Sequence, residues 1–188
     1  MELSNLNIKN GLCISLGANI DSKFGDPITS LLLARPRIEK TIKTFIKDHH
    51  HERLALEIIE PIYLWSSLYE TNPQGVEEIQ PDYINTLLLV KSDIFPTPSY
   101  EKAKELLKKF KDLEAEFGRQ KNVSNKRWLS RCLDIDILWW ENLLISNQDI
   151  TLPHPRFTNR NFVITPLSEV LSKSQKIKKL KVTQWVLN

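Results

Sequence analysis

The run RWLSRCLDIDILWW, residues 127–140, constrains this chain more tightly than any other stretch. Its length and apolar content are those of a strand, on which successive side chains point to opposite faces. Leu133, Ile135 and Ile137 therefore share one face, and Asp134 and Asp136 share the other. An unpaired carboxylate is costly to bury, and two side by side also repel each other. One face of this strand belongs in a core. The carboxylate face must reach solvent at a sheet edge or find a cation.

The segments around it give an order of elements. Leu12–Leu16 reads as a buried strand ending in the turn chemistry of Gly17-Ala18-Asn19. From Pro27 to about Lys47, apolar residues recur at near-helical spacing (Ile28, Leu31, Leu32, Ile38, Ile42, Phe45, Ile46), with a break or kink expected near Pro36. Residues 62–71, IYLWSSLYET, run as a strand into the loop Asn72-Pro73-Gln74-Gly75, and Tyr83–Lys91 is a second strong strand. Thr97-Pro98 opens a helix as hydroxyl N-cap and first-turn proline. Its stripe is Leu106, Phe110, Leu113 and Phe117, and Gly118 is its C-cap. ENLLI after the aspartate strand reads as a short paired strand. Residues 152–167 form a proline-punctuated loop entering a last helix, and a basic tail follows as a small hairpin or helix. The order β-α-β-β-α-β is the ferredoxin-like split pattern: an α+β sandwich with an antiparallel sheet and helices packed on one face. A length of 188 residues suits one domain.

Composition narrows the function classes. A formal charge of +3 fits an anionic ligand and is too small to imply nucleic acid. No apolar run spans a membrane and the first residues lack a signal-peptide pattern, so a cytoplasmic protein is expected. Cys13 and Cys132 lie in apolar runs and read as reduced core residues. His49, His50 and His51 share no face, so a solvated loop or helix end is the better reading there.

Paired carboxylates at i and i+2 on a strand suit magnesium, which prefers one or two carboxylates plus water and phosphate oxygens. Arg119, Lys121, Lys126, Arg127 and Arg131 crowd the loop just before them, and guanidinium forks suit phosphate. Together these groups describe phosphoryl or pyrophosphoryl transfer; alone, the pair is equally an edge-strand pair facing water. His154 stands in a Pro-His-Pro frame with Arg156 and Arg160 behind it, a second cationic edge for a polyphosphate. Tyr83 and Asn85 share a strand face and, with Phe162, suit a flat heteroaromatic ring, although ordinary core packing explains the aromatics as well. Glu114 falls inside the apolar stripe of its helix, where it must snorkel to an edge or meet a ligand. No Walker-type glycine loop is present.

Six blocks in order resemble one family: ISLGANI (14–20), SSLYETNPQG (66–75), PDYINTLLLV (81–90), LEAEFGRQK (113–121), RWLSRCLDIDIL (127–138) and LPHPRFTNRNFVITPL (152–167). They look like 6-hydroxymethyl-7,8-dihydropterin pyrophosphokinase of folate biosynthesis, over about residues 12–170, with 171–188 as a basic tail. The resemblance implies a ferredoxin-like fold, ATP as co-substrate, two magnesium ions, and transfer of pyrophosphate to the hydroxymethyl group with release of AMP. It implies Asp134 and Asp136 as metal ligands, and Arg119 and Arg131 as the catalytic cations. Thr71, Pro73, Gln74, Tyr83, Asn85, Trp128 and Phe162 would hold the pterin, and Glu114, Lys121, Ile137, His154 and Arg160 would face ATP.

Lys121 stands where the family often has arginine, the 119–131 loop is about two residues longer than the usual form, and Asn72 replaces a common proline. The expected partners are the two small molecules, with no nucleic acid or membrane, and the expected state is a monomer. The competing readings are another magnesium-dependent phosphotransferase, a non-catalytic pterin-binding relative, and a nucleic-acid-binding ferredoxin-like module. The first leaves Tyr83-x-Asn85 unexplained and the last lacks an RNA-recognition signature. Nothing after Ser172 belongs to a site on this reading, so trimming there should leave catalysis largely intact.

Overall fold

The computed structural model describes residues 11–49, 60–73, 79–119 and 129–186, with side chains described as far as Lys173. The elements are β1 (Leu12–Ala18), α1 (Pro27–Asp48), β2 (Ile62–Trp65), β3 (Tyr69–Thr71), β4 (Tyr83–Lys91), α2 (Tyr100–Glu116), β5 (Asp134–Trp140), β6 (Ile145–Ser146), β7 (Thr151–Leu152) and α3 (Asn161–Val186). β2 and β3 lie end to end along β4, so the main sheet runs β2/β3, β4, β1, β5, with every pairing antiparallel. That is the expected α+β, ferredoxin-like arrangement. β6 and β7 form a small separate ribbon, with the ENLLI segment supplying β6.

Both faces of the sheet are covered. Ile14, Leu16, Leu88, Val90, Ile135, Ile137 and Trp140 pack against Leu31, Ile38, Ile42 and Phe45 of α1 and Leu106, Phe110 and Leu113 of α2. Cys13, Leu64, Leu87, Leu89, Leu138 and Trp139 pack against Val163, Leu167 and Val170 of α3. The expectation of helices on one face is therefore corrected. β4 is apolar on both faces over Leu87–Val90, and a sheet so built needs cover on each side. Both cysteines are buried and free, as expected.

Three local expectations change. α1 runs unbroken through Pro36, because Leu31, Ala34, Ile38 and Ile42 bury its two halves along one stripe while the proline faces outward. α2 starts two residues later than expected: Ser99, with extended backbone, accepts a hydrogen bond from the Lys102 amide. The tail continues α3 as helix to Val186.

His49 pairs with Glu105 at 2.8 Å, and its ring lies against Phe45. His50 and His51 lie outside the described residues.

Two irregularities shape the sheet. A bulge between β1 and β5 leaves Leu138 without a partner, so Leu138 and Trp139 both face α3 and Trp140 turns to the other core. Between β2 and β3, Trp65 pairs with Leu88 and Tyr69 with Asn85, four residues against three, so this strand also carries one extra residue.

Lys173 enters the fold here, bonding the Trp65 carbonyl at 2.8 Å and Glu169 at 2.6 Å. Truncation after Ser172 loses both contacts, and truncation after Ser174 keeps them. A partly exposed ion pair contributes up to about 1 kcal/mol. The shorter protein should melt about 2–4 °C below the longer in parallel thermal scans.

Candidate active site

The functional residues collect at one end of the sheet because of register. Gly17 pairs with Asn85 on one side and with Asp134 on the other, so these three form a row on the α3 face. Tyr83, Asn85, Leu87 and Leu89 alternate onto that face of β4, and Asp134 and Asp136 onto that face of β5. Two inter-strand spacings separate Asn85 from Asp134, about 10 Å. The middle of the row is glycine: a Cβ at Gly17 would stand 3.0 Å from Asn85 Oδ1 and 3.7 Å from the Tyr83 ring, pressing on the amide side chain. An open trough is left between an amide and a carboxylate.

The amide end is held rigidly. Asn85 is buried and donates from Nδ2 to Thr71 Oγ1 at 2.8 Å. The Tyr83 hydroxyl donates to the Leu129 carbonyl at 3.3 Å, and burial pushes its pKa up. A cleft of about 400 Å³ opens beside them, with Thr71 and Pro73 on one wall and Phe162, Thr165 and Pro166 of α3 on the other.

The carboxylate end is a charge cluster built on the end of α2. Gly118, at φ +102°, donates its amide to the Ala115 carbonyl, and Arg119 donates its amide to the Glu114 carbonyl. This glycine-closed helix end delivers Arg119 directly over its own last turn. Its guanidinium bonds both the Glu114 carboxylate and Asp134, the latter at 2.6 Å. Arg131 reaches Asp134 from the other side at 2.5 Å, and Lys111 lies 3.9 Å from it. Burial pushes Asp134 up, but Arg131, Lys111 and Arg119 together outweigh it and hold its pKa below the usual carboxylate range.

Asp136 differs. Burial and the neighbouring Asp134 push its pKa up, and among the described residues it has no direct ion-pair partner. Its charge calls for a cation, and two hard carboxylates on one strand face fit magnesium, which completes its shell with water and phosphate oxygens. Among the described residues no group of three metal-ligating side chains exists, so the pair would work with those outside oxygens.

Glu114 explains its own odd place in the helix stripe. Only 1% exposed, it accepts the Ile135 amide at 2.7 Å and pairs with Lys111 at 2.8 Å and with Arg119. Burial still pushes its pKa up against those cations. Of the residues expected to face ATP, Glu114 thus faces Arg119, and the Ile137 side chain lies in the core under α1 and α2. His154 is fixed by its amide bond to the Leu138 carbonyl at 2.7 Å. Burial lowers its pKa against the pull of Asp136. Arg160 stacks 5.3 Å from the Phe162 ring and feels the field of both aspartates. Gln74, Lys121 and Trp128 lie outside the described residues.

Two residues went unnoticed in the sequence. Asn19, read as a turn residue, accepts the Arg131 amide at 2.7 Å, donates to Ser130 and the Pro81 carbonyl at 3.2 Å, and is buried. Lys111 pairs with Glu114, and its i,i+3 spacing to that residue is the signal that could have found it.

Replacing Glu114 with alanine strands the Ile135 amide and removes the counter-charge from Arg119 and Lys111. Breaking a buried charge cluster in this way costs about 3–5 kcal/mol. Urea unfolding of Glu114→Ala should show that loss, and Glu114→Gln, which can still accept the amide, should lose less.

Comparison with known proteins gives the family. The family model for 7,8-dihydro-6-hydroxymethylpterin-pyrophosphokinase matches residues 13–172. A 2-amino-4-hydroxy-6-hydroxymethyldihydropteridine pyrophosphokinase of Haemophilus influenzae is 38% identical over 144 residues, 76% of this chain and 83% of that protein. One of Aquifex aeolicus is 30% identical over 157 residues, 84% of this chain and 78% of that protein. A folic acid synthesis protein of Dictyostelium discoideum is 30% identical over 169 residues, 87% of this chain but 21% of that longer protein. The chain belongs to the 7,8-dihydro-6-hydroxymethylpterin-pyrophosphokinase family, ATP-dependent enzymes that transfer pyrophosphate to a dihydropterin.

Proposed function

We propose that this chain carries pyrophosphate from ATP to the hydroxymethyl group of 6-hydroxymethyl-7,8-dihydropterin across the Asn85–Gly17–Asp134 row. That row is the observation that carries the reading: a flat-ring site and a polyphosphate site one trough apart on a rigid sheet. Asn85, with Thr71 behind it, bonds the polar edge of the pterin. Tyr83 and Phe162 flank the ring, and Pro73 closes one side; Gln74 joins the pterin set on the family resemblance alone. Phe162 lines a cleft of about 400 Å³, a volume that suits a bicyclic ring.

Family membership implies ATP- and magnesium-dependent catalysis. Asp134 and Asp136 are the residues that would hold two ions, which supply neutralisation of the phosphate oxygens and alignment of the transferred group. Arg119 and Arg131 lie against Asp134 without ligands and exchange part of that contact for phosphate when ATP binds. His154 and Arg160 approach from the α3 side as donors to the phosphate chain, and Lys121 and Trp128 are assigned to ATP and the pterin on the family resemblance alone. In the reaction the hydroxymethyl oxygen bonds the β-phosphorus and the bond to the α-phosphate bridge breaks. AMP leaves and the hydroxyl proton goes to solvent. Positioning and charge neutralisation suffice for such an in-line attack. Glu114 acts through Arg119 and Ile137 through the packing of β5.

Incubation with the dihydropterin, ATP and magnesium should give AMP and a pterin heavier by one pyrophosphate on product mass analysis. ADP with a singly phosphorylated pterin would overturn the reaction class. Asp136→Ala should lose at least about 10³-fold in turnover and its magnesium-dependent gain in ATP affinity. Unchanged turnover would remove the metal assignment. Asn85→Ala should weaken pterin binding by about 10–100-fold, the cost of one lost buried hydrogen-bonding partner, and leave ATP affinity alone in calorimetric titrations.

A further inference from the structure

The extra residue between β2 and β3 has a consequence for which side chains meet the pterin. Leu64 faces α3 beside Leu89, so without a bulge Tyr69 and Thr71 would fall on the opposite face from Leu64's partners in odd–even order. The inserted residue reverses that order. It brings Tyr69 opposite Asn85 and Thr71 opposite Tyr83, on the α3 face, where Thr71 bonds Asn85.

Three backbone groups at the bulge, the Trp65 and Ser66 carbonyls and the Ser67 amide, are met by charged side chains. Lys173 donates to the Trp65 carbonyl at 2.8 Å. Arg35, from α1 on the far face, donates to the Ser66 carbonyl at 2.9 Å and to Thr86 Oγ1 at 2.9 Å, with its guanidinium 4.9 Å from the Trp65 ring. Glu169 accepts the Ser67 amide at 2.8 Å, the Ser67 hydroxyl at 3.2 Å and the Tyr69 hydroxyl at 2.9 Å. Ser66 completes the set by capping the Leu87 amide at 2.9 Å. On α3, Glu169 lies one and two turns beyond Pro166 and Phe162, which line the cleft wall facing β3. The carboxylate thus ties together the two walls of the cleft.

We propose that Glu169 is a positioning residue for the dihydropterin: it locks the β2–β3 bulge and so sets both the facing of Thr71 and the width of the cleft. The proposal rests on the functional reading above. Among the described residues Glu169 bonds Ser67, Tyr69 and Lys173, none of them on the phosphate side, so its effect is expected on one substrate. Burial opposes its ionisation, yet Lys173, the Ser67 amide and the Tyr69 hydroxyl pull its pKa down to about 2, so the clasp is charged throughout the working range.

The test is steady-state kinetics on the full chain with each substrate varied in turn. Glu169→Gln keeps the shape but loses the charge and one of the two acceptor oxygens, and should raise KM for the dihydropterin about tenfold. KM for ATP and kcat should stay within about twofold of wild type. Lys173→Met, which removes the cation from both the Trp65 carbonyl and Glu169, should raise the pterin KM about threefold with the same selectivity, against the expectation that nothing after Ser172 bears on a site. An unchanged pterin KM in both variants, or equal changes in both KM values, would overturn the clasp while wild type still turns over. A wild-type protein that pyrophosphorylates no pterin would instead overturn the functional reading and the clasp with it.

Discussion

The buried carboxylate of Glu114 is the contact on which the phosphate side of this protein depends. It lies where α2 ends against the open edge of β5, and three demands meet on it: the Ile135 amide, the Lys111 ammonium and the Arg119 guanidinium. A carboxylate is expensive to bury, and only such full occupancy offsets the cost. In return, the first residues of β5 are fixed to the helix. Arg119 is fixed twice, by its backbone at the glycine-closed helix end and by its side chain. Asp134 then receives Arg119 and Arg131 in geometry set before any ligand arrives.

The rest of the site follows from leaving one place empty. Gly17 lies between the two ends of the trough, and a side chain there would press on the Asn85 amide. Hydrophobic cover by α3 stops short of this end of the sheet. Apolar residues fill the same face from Leu87 and Leu138 onward, while Tyr83, Asn85, Asp134 and Asp136 occupy the strand ends beyond them. One continuous face is therefore core at one end and chemistry at the other. The separation is produced by strand register alone.

Much of this was legible in the chain. The alternation in LDIDIL places the two aspartates on one face and the isoleucines in the core, and both placements hold. The element order gives the ferredoxin-like sheet, and the Phe110–Phe117 stripe with Gly118 after it gives α2 and its end. The start of α2 was misjudged because Ser99 and Thr97 are chemically equivalent as caps, and only the path of the chain chooses between them. Pro36 looked like a break because local propensity opposes proline, but seven buried α1 residues hold both halves on the sheet. Asn19 looked like a turn residue because its partners are as far off as Arg131.

By itself the sequence determined which strand face carries the candidate carboxylates and which face each strand turns to the core, because alternation, helix stripes and caps are local and period-bound. It also determined that a glutamate in an apolar stripe must be satisfied. What satisfies it was decided by tertiary structure, since Ile135 meets Glu114 only when β5 docks on α2. The second cover helix was decided in the same way, as was the bulge that turns Thr71 toward Asn85. A bulge adds one residue without any signature of its own. Its stability rests on Arg35, Glu169 and Lys173, two of them about a hundred residues away along the chain, and such contacts exist only after the sheet and both helix layers have come together.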